Sequence, residues 1–196
     1  MDSSVVSDTC DPRRSIAAAA VQLFVRQGYD ATTVDQIARK AGSSRATVFR
    51  YFGCKEEILF HRYDLALNEL RTLIRAERGS DSQRIRRVLV AFARRLEAEG
   101  QAFRVELELI ARNPRLFARA LVTLHVSADA LARELTVGGD PLTELRARVL
   151  AHSGIAALQA AVCLWLSAGP DIRLADVTDD ALRLTLQNGR GGEPPA

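Results

Sequence analysis

The chain has 196 residues, 47% hydrophobic and 26% charged, which is ordinary for a soluble globular protein with a sizeable core in one large or two small domains. Alanine, leucine and arginine are abundant and proline is scarce, which favours helix throughout. The net charge of +3 is unevenly spread: residues 1–12 carry three acids and no base, residues 13–55 carry eight bases against Asp30 and Asp35, and the rest balances. Such a segment suits a polyanion-binding module, although a solvated basic face would read the same way.

Asp11-Pro12 predicts a helix start, with Asp as N-cap and Pro at the first helical position. Ile16, Ala19, Ala20, Leu23 and Phe24 follow at helical spacing, and Gly28 closes the element. A second helix opens at Thr33 with Gln36 as its capping-box partner, packs through Val34, Ile37, Ala38 and Ala41, and ends at Gly42. Ser44 caps a short third helix with Val48 and Phe52 inside.

A longer helix begins near Lys55 and packs through Leu59, Tyr63, Leu67, Leu70 and Ile74. Gly79–Asp81 reads as a joint between a small module and a larger one. Then come a helix with Ile85, Val88, Leu89, Phe92 and Leu96 inside, and another with Phe103, Leu107 and Ile110. Asn113-Pro114 starts a helix expected to bury Phe117, Leu121, Leu124, Ala128, Leu131 and Leu135. Asp140-Pro141 starts a long helix to about Ala168, and 176–187 forms the last. The expectation is an all-α chain of nine helices, with a frayed tail over 189–196.

Val149–Gly169 carries no charge and is long enough to span a bilayer. His152, Ser153, Gln159, Ser167 and many alanines weaken it as a membrane segment, so burial in a core or subunit interface is expected and no membrane partner. Cys10, Cys54 and Cys163 make no C-x-x-C pair and follow no secretory signal, which predicts free thiols in a reducing cytoplasm. His61, His125 and His152 lack metal-ligand spacing, and no phosphate loop or nucleophile elbow occurs. The expectation is therefore no cofactor, no metal, no catalytic residue and no enzyme.

The turn Ala41-Gly42-Ser43-Ser44 lets two short helices cross closely, the geometry of a helix-turn-helix. An ordinary helical hairpin would share that turn, but the local charge favours a DNA reader. In such a motif the first residues of the second helix approach base edges. Here they are Arg45, able to donate twice to a guanine edge, Ala46, small enough to meet a thymine methyl, and Thr47. Arg50 and Tyr51, one turn on, suit phosphates.

Ala17–Leu59 resembles the N-terminal domain of the tetracycline-repressor (TetR) family, through L-F…G-Y-x-x-T-T-V-x-x-I-A-x-x-A-G-x-S-x-x-T-x-F-x-Y-F-x-x-K-E-x-L. The resemblance implies a nine-helix homodimer whose paired helix-turn-helix modules read a palindromic operator in double-stranded DNA, and whose C-terminal helical domain binds a small-molecule inducer. It implies phosphate contacts by Thr33, Arg50, Tyr51 and Lys55, base-facing positions at Arg45, Ala46 and Thr47, and capping by Ser44 within the same surface. Phe49 stands where the family often has a phosphate-touching tyrosine, and Cys54 where it usually has a capping serine, so it is a semi-buried or oxidisable thiol.

Arg95–Leu186 is similar to C-terminal domains of the acyl-CoA-like ligand-binding type. This implies a hydrophobic effector and offers Phe92, Leu96, Phe103, Leu107, Ile110, Leu121, His125 and Gln159 as lining residues, with ordinary core packing as the competing role. It also implies a dimer seam through 141–168 and 176–187. The expected organisation is a disordered arm over 1–11, a DNA-binding domain over 12–54, a ligand-binding and dimerisation domain over 55–188, and the tail. The function expected is that of a ligand-released repressor, with an activator or a helical enzyme on the same scaffold as alternatives.

Overall fold

The structure is a computed structural model that describes residues 11–136, 140–168 and 171–186. The expected arm, apart from Asp11, and the tail lie outside the described residues. Among the described residues there are nine helices and no strand: α1 (Pro12–Gln27), α2 (Val34–Lys40), α3 (Arg45–Tyr51), α4 (Lys55–Ala76), α5 (Asp81–Ala98), α6 (Gly100–Arg112), α7 (Pro114–Leu135), α8 (Pro141–Ser167) and α9 (Leu174–Leu186).

The start signals act through their side chains. Asp11 accepts from the Arg13 N–H, Asn113 from Arg115 and Leu116, and Asp140 from Leu142 and Thr143. Each satisfies amide donors that the first helical turn leaves unpaired. Helix α9 begins two residues earlier than expected, at Leu174, whose N–H donates to Glu97 on α5.

Two compact units divide at Tyr63/Asp64, inside α4 rather than at residue 54/55 or at Gly79–Asp81. Local chemistry explains the shift. The first turns of α4 belong to the N-terminal unit: Ile58, Leu59 and Phe60 are buried, His61 meets the Phe52 ring edge-on, and Lys55 binds the loop before α2. In that unit α1 packs on α2 and α2 on α3, around Ile16, Ala20, Phe24, Ile37 and Val48.

In the second unit α8 packs on α5, α7 and α9, and α6 on α5, α7 and α8. Helix α8 is long and apolar enough to cross a bilayer by length and composition, yet it buries Ala147, Ala151, Gly154, Ile155, Ala157, Leu158, Ala161 and Trp165 against neighbouring helices. Small residues at helical spacing let the neighbouring helices approach closely. Helix α7 faces differently from the expectation: Leu116, Ala120, Ala128, Leu131 and Leu135 are buried, Phe117 and Leu124 are half-buried, and Leu121 is exposed with Val122 and Val126. Its N-terminal half is apolar on several sides, so periodicity alone did not pick the inner one.

Guanidinium–carboxylate pairs tie the helices of this unit together. Arg86 on α5 donates to both carboxylate oxygens of Asp179 on α9, at 2.5 and 2.8 Å. Arg75 near the end of α4 holds Glu134 near the end of α7 in the same way, at 2.6 Å twice, with Arg71 alongside. These hydrogen bonds hold Asp179 and Glu134 below the ordinary carboxylate range. A depressed folded-state value adds stability above the unfolded pKa and loses it as pH falls through the folded one. The melting temperature should hold from neutral pH down to about 5 and drop below about 4. Asp179→Asn should be destabilised by about 1 kcal/mol at pH 7 and show a shallower acid limb, a comparison made by calorimetry across pH.

Candidate nucleic-acid interface

The α2–α3 turn is built by Gly42, whose φ of 62° lies in the left-handed region that favours glycine. The amides on either side of the reversal are satisfied: Gly42 donates to the Arg39 carbonyl and Ser43 to the Ala38 carbonyl. Ser44 then caps α3, its hydroxyl accepting from the Thr47 N–H at 3.0 Å and sharing a bond with the Thr47 hydroxyl at 2.9 Å. At the other end of α2, Thr33 and Gln36 form the full capping box expected.

Because Val48 is fully buried in α3 and Phe52 nearly so just after it, the opposite side of this short helix is presented outward. Arg45, Ala46, Phe49 and Arg50 are exposed, while Thr47 and Tyr51 are half-buried. Phe49 is 43% exposed, a large apolar ring on a polar face. Its surroundings account for it: the Arg45 guanidinium carbon lies 5.4 Å from its ring centroid. Arg50 lies 5.1 Å from the Tyr51 ring centroid, and Arg13 lies 5.9 Å from the same ring.

Three features of the surface were not legible in the sequence. Arg45 Nη1 donates to both carboxylate oxygens of Asp35 on α2, at 3.4 and 3.3 Å. Arg13 on α1 reaches the Tyr51 carbonyl at 3.4 Å across 38 residues. Gln27 at the end of α1 donates to the Gln36 side chain at 2.9 Å, tying α1 to α2's capping box. None has a local spacing that would announce it, since each depends on how the helices cross.

Lys55 departs from the expected phosphate contact. Its ammonium turns inward, donating to the Tyr29 carbonyl at 2.7 Å and the Thr32 carbonyl at 3.0 Å, and sits 4.1 Å from the Tyr29 ring centroid. It secures the α1–α2 loop. Lys55→Met should therefore destabilise the DNA-free protein by about 2 kcal/mol, because two partly buried carbonyls lose a charged donor. Thermal denaturation without DNA checks this, since a lysine that only touched phosphate would leave the melting temperature unchanged. Cys54 is half-buried, and Glu57 reaches back to the Gly53 N–H at 2.7 Å, closing the entry to α4 without a serine cap.

The expected effector-lining residues fall into two groups. Phe92 and Leu96 on α5 and Phe103, Leu107 and Ile110 on α6 are buried in the packed core of the second unit. Leu121 and His125 are exposed on α7, with His125 ring-to-ring against His152 at 4.9 Å and 3.8 Å from Asp129, while Gln159 is half-buried on α8. Five of the eight are thus core residues, and three lie at or near the surface. Arg104 on α6, beside this core, donates to the Trp165, Leu166 and Ala168 carbonyls, fixing α6 to the C-terminal end of α8.

Comparison with known proteins agrees with this architecture. Residues 16–61 match the family model for bacterial regulatory proteins of the tetR family, and residues 82–189 match the MftR C-terminal domain model. The transcriptional activator FasR of Mycolicibacterium smegmatis is 28% identical over 188 residues, covering 93% of this chain and 83% of FasR. The crystal structure of Thermus thermophilus FadR, a TetR-family repressor in complex with lauroyl-CoA, is 27% identical with a TM-score of 0.61, covering 94% of this chain and 98% of that one. FadR of Bacillus halodurans, at 21% identity, shares the fold with a TM-score of 0.65 over 92% and 97% of the two chains. With its capped, outward-facing α3 and family matches over both halves, the chain belongs to the TetR family of DNA-binding transcriptional regulators.

Proposed function

We propose that this regulator binds a palindromic operator as a homodimer in the cytoplasm and is a repressor released by a hydrophobic small molecule. The observation that carries the DNA-reading part is the outer face of α3, where Arg45, Ala46, Phe49 and Arg50 are exposed opposite buried Val48. Arg45 donates to a guanine edge, Ala46 meets a thymine methyl, and Thr47 adds a base or phosphate contact from the same turn. Arg50, Tyr51 and Thr33 contact phosphates, which fixes register without reading sequence. Ser44 serves through its cap, Phe49 through Arg45, and Lys55 as a structural tie.

The dimer is supported by apolar residues that α8 leaves in water: Leu142, Leu145, Val149 and Leu164 are each at least half exposed, with Leu184 on α9 at 75%. Two modules joined this way read successive major grooves when they lie about 34–36 Å apart. For the effector we propose a fatty acyl thioester, supported by the buried apolar residues of α5 and α6 and by the lauroyl-CoA complex of the Thermus relative. An acyl chain enters by parting these helices, and it releases DNA only if it favours the released state. An activator is the second reading, favoured by the similarity to FasR, which is a transcriptional activator.

The test is binding of the purified protein to the DNA upstream of its own coding sequence and of neighbouring coding sequences. A specific regulator should hold its site against an excess of unrelated duplex of about a thousandfold, the lower end of regulatory specificity. Micromolar lauroyl-CoA should release it, and operator position relative to the promoter separates repressor from activator. Arg45→Ala should lower discrimination at one base pair of each half-site by about tenfold. Equal weakening on every operator variant would overturn the base-reading assignment.

A further inference from the structure

We propose that Asp35 is a specificity-determining residue of this surface, acting by positioning Arg45 for one base pair. The inference rests on the reading that Arg45 faces a base edge. Asp35 is on α2 and Arg45 opens α3, so the pair bridges the two helices of the motif. Both carboxylate oxygens bind the same nitrogen, Nη1, while the Phe49 ring supports the guanidinium from its own helix. Nη1 is the nitrogen on the side-chain stem's side of the guanidinium. The opposite edge, with the parallel N–H groups of Nε and Nη2, is therefore left for another acceptor pair. Guanine O6 and N7 present such a pair in the major groove.

An isolated pair this exposed, 63% and 56% for the two side chains, contributes little to folding. Its position gives it a different use. A carboxylate on a surface that meets phosphates weakens sequence-independent binding, because it repels the backbone. Without it, Arg45 is a flexible cation free to swing to the nearest phosphate, a contact blind to sequence. With it, the guanidinium is held between Asp35 and Phe49 and shows one edge to the bases. When duplex covers the surface and water leaves, the local dielectric falls and the hold tightens. Asp35 thus exchanges overall affinity for discrimination.

The test uses the full chain and a duplex selected from a random pool by the wild-type protein, together with every single-base-pair variant of one half-site. Arg45→Ala identifies the base pair that Arg45 reads. Asp35→Ala should reduce the roughly tenfold discrimination there to two- or threefold, while unrelated duplex binds several-fold tighter. Asp35→Asn, whose amide oxygen still accepts from Nη1, should keep most of the discrimination and share the gain in unspecific affinity. The melting temperature of both Asp35 variants should stay close to wild type, which separates positioning from folding. If Arg45→Ala abolishes discrimination at one base pair but Asp35→Ala leaves it at the wild-type ratio, the role of Asp35 is overturned and base reading by Arg45 stands. A uniform change at all base pairs in Asp35→Ala likewise overturns it. If Arg45→Ala alters no ratio, the base-reading assignment and this proposal fall together.

Discussion

Replacing Gly154 with alanine should destabilise the protein, although the same change in an exposed helix interior stabilises by about 1 kcal/mol. Gly154 lies within α8, where a Cβ would come 2.7 Å from Ile85 Cγ2 and 3.0 Å from Leu89 Cδ1 on α5. Both neighbours are fully buried or nearly so, and a methyl on a β-branched carbon cannot swing aside alone. Overpacking of this kind costs about 1–3 kcal/mol, which exceeds the helix-propensity gain. The melting temperature should fall by several degrees for a domain of this size, measured at fixed protein concentration. Gly154→Val, with two further methyls, should be lost from the soluble fraction or melt far lower. The double variant Gly154→Ala with Ile85→Ala should be less destabilised than the two singles added, because the second change removes the methyl that clashes. A stabilised Gly154→Ala would mean that α5 and α8 do not approach this closely.

That contact marks where sequence reading stops. Each helix was legible because its signals are local: Asp11, Thr33, Ser44, Asn113 and Asp140 bind amides two or three residues ahead, and their apolar spacing is read within the helix itself. The outward face of α3 followed for the same reason, since burial of Val48 and Phe52 leaves Arg45 and Phe49 outside. Orientation between helices has no such local code. Leu121 satisfies the apolar period of α7 as well as Leu116 does, yet only Leu116 is buried. The Lys55 ammonium chose two carbonyls more than twenty residues away, and Asp35 met Arg45 across a turn set by Gly42. The resemblance to a family supplied roles for positions, but it could not say which way this chain's side chains turn.

The same limit applies to the proposed dimer seam, where leftover exposure is the informative quantity. Along α8 the exposed apolar residues recur at 142, 145 and 149, continue through Ala156 and Ala160, and end at Leu164, a stripe opposite the buried alanines. In a twofold dimer each such residue meets the same surface of its twin, so one substitution acts twice. Val149 is 55% exposed, so arginine there should leave the folded single chain intact. In a seam it would bury two uncompensated like charges, and an unpaired buried charge costs about 3–5 kcal/mol. Val149→Arg should therefore weaken the dimer by at least about a hundredfold and give a monomer by sedimentation at micromolar concentration, with its helical content retained. Operator affinity should fall further than any single α3 contact explains, because two half-sites held by one dimer gain about 10²–10⁴ over one. Binding to an isolated half-site should stay close to wild type, which distinguishes lost dimerisation from a damaged reading head. If Val149→Arg remained a dimer with full operator affinity, the stripe on α8 would not be the seam, and the exposed face of α7 carrying Leu121, Val122 and Val126 would be the next surface to test by the same substitution.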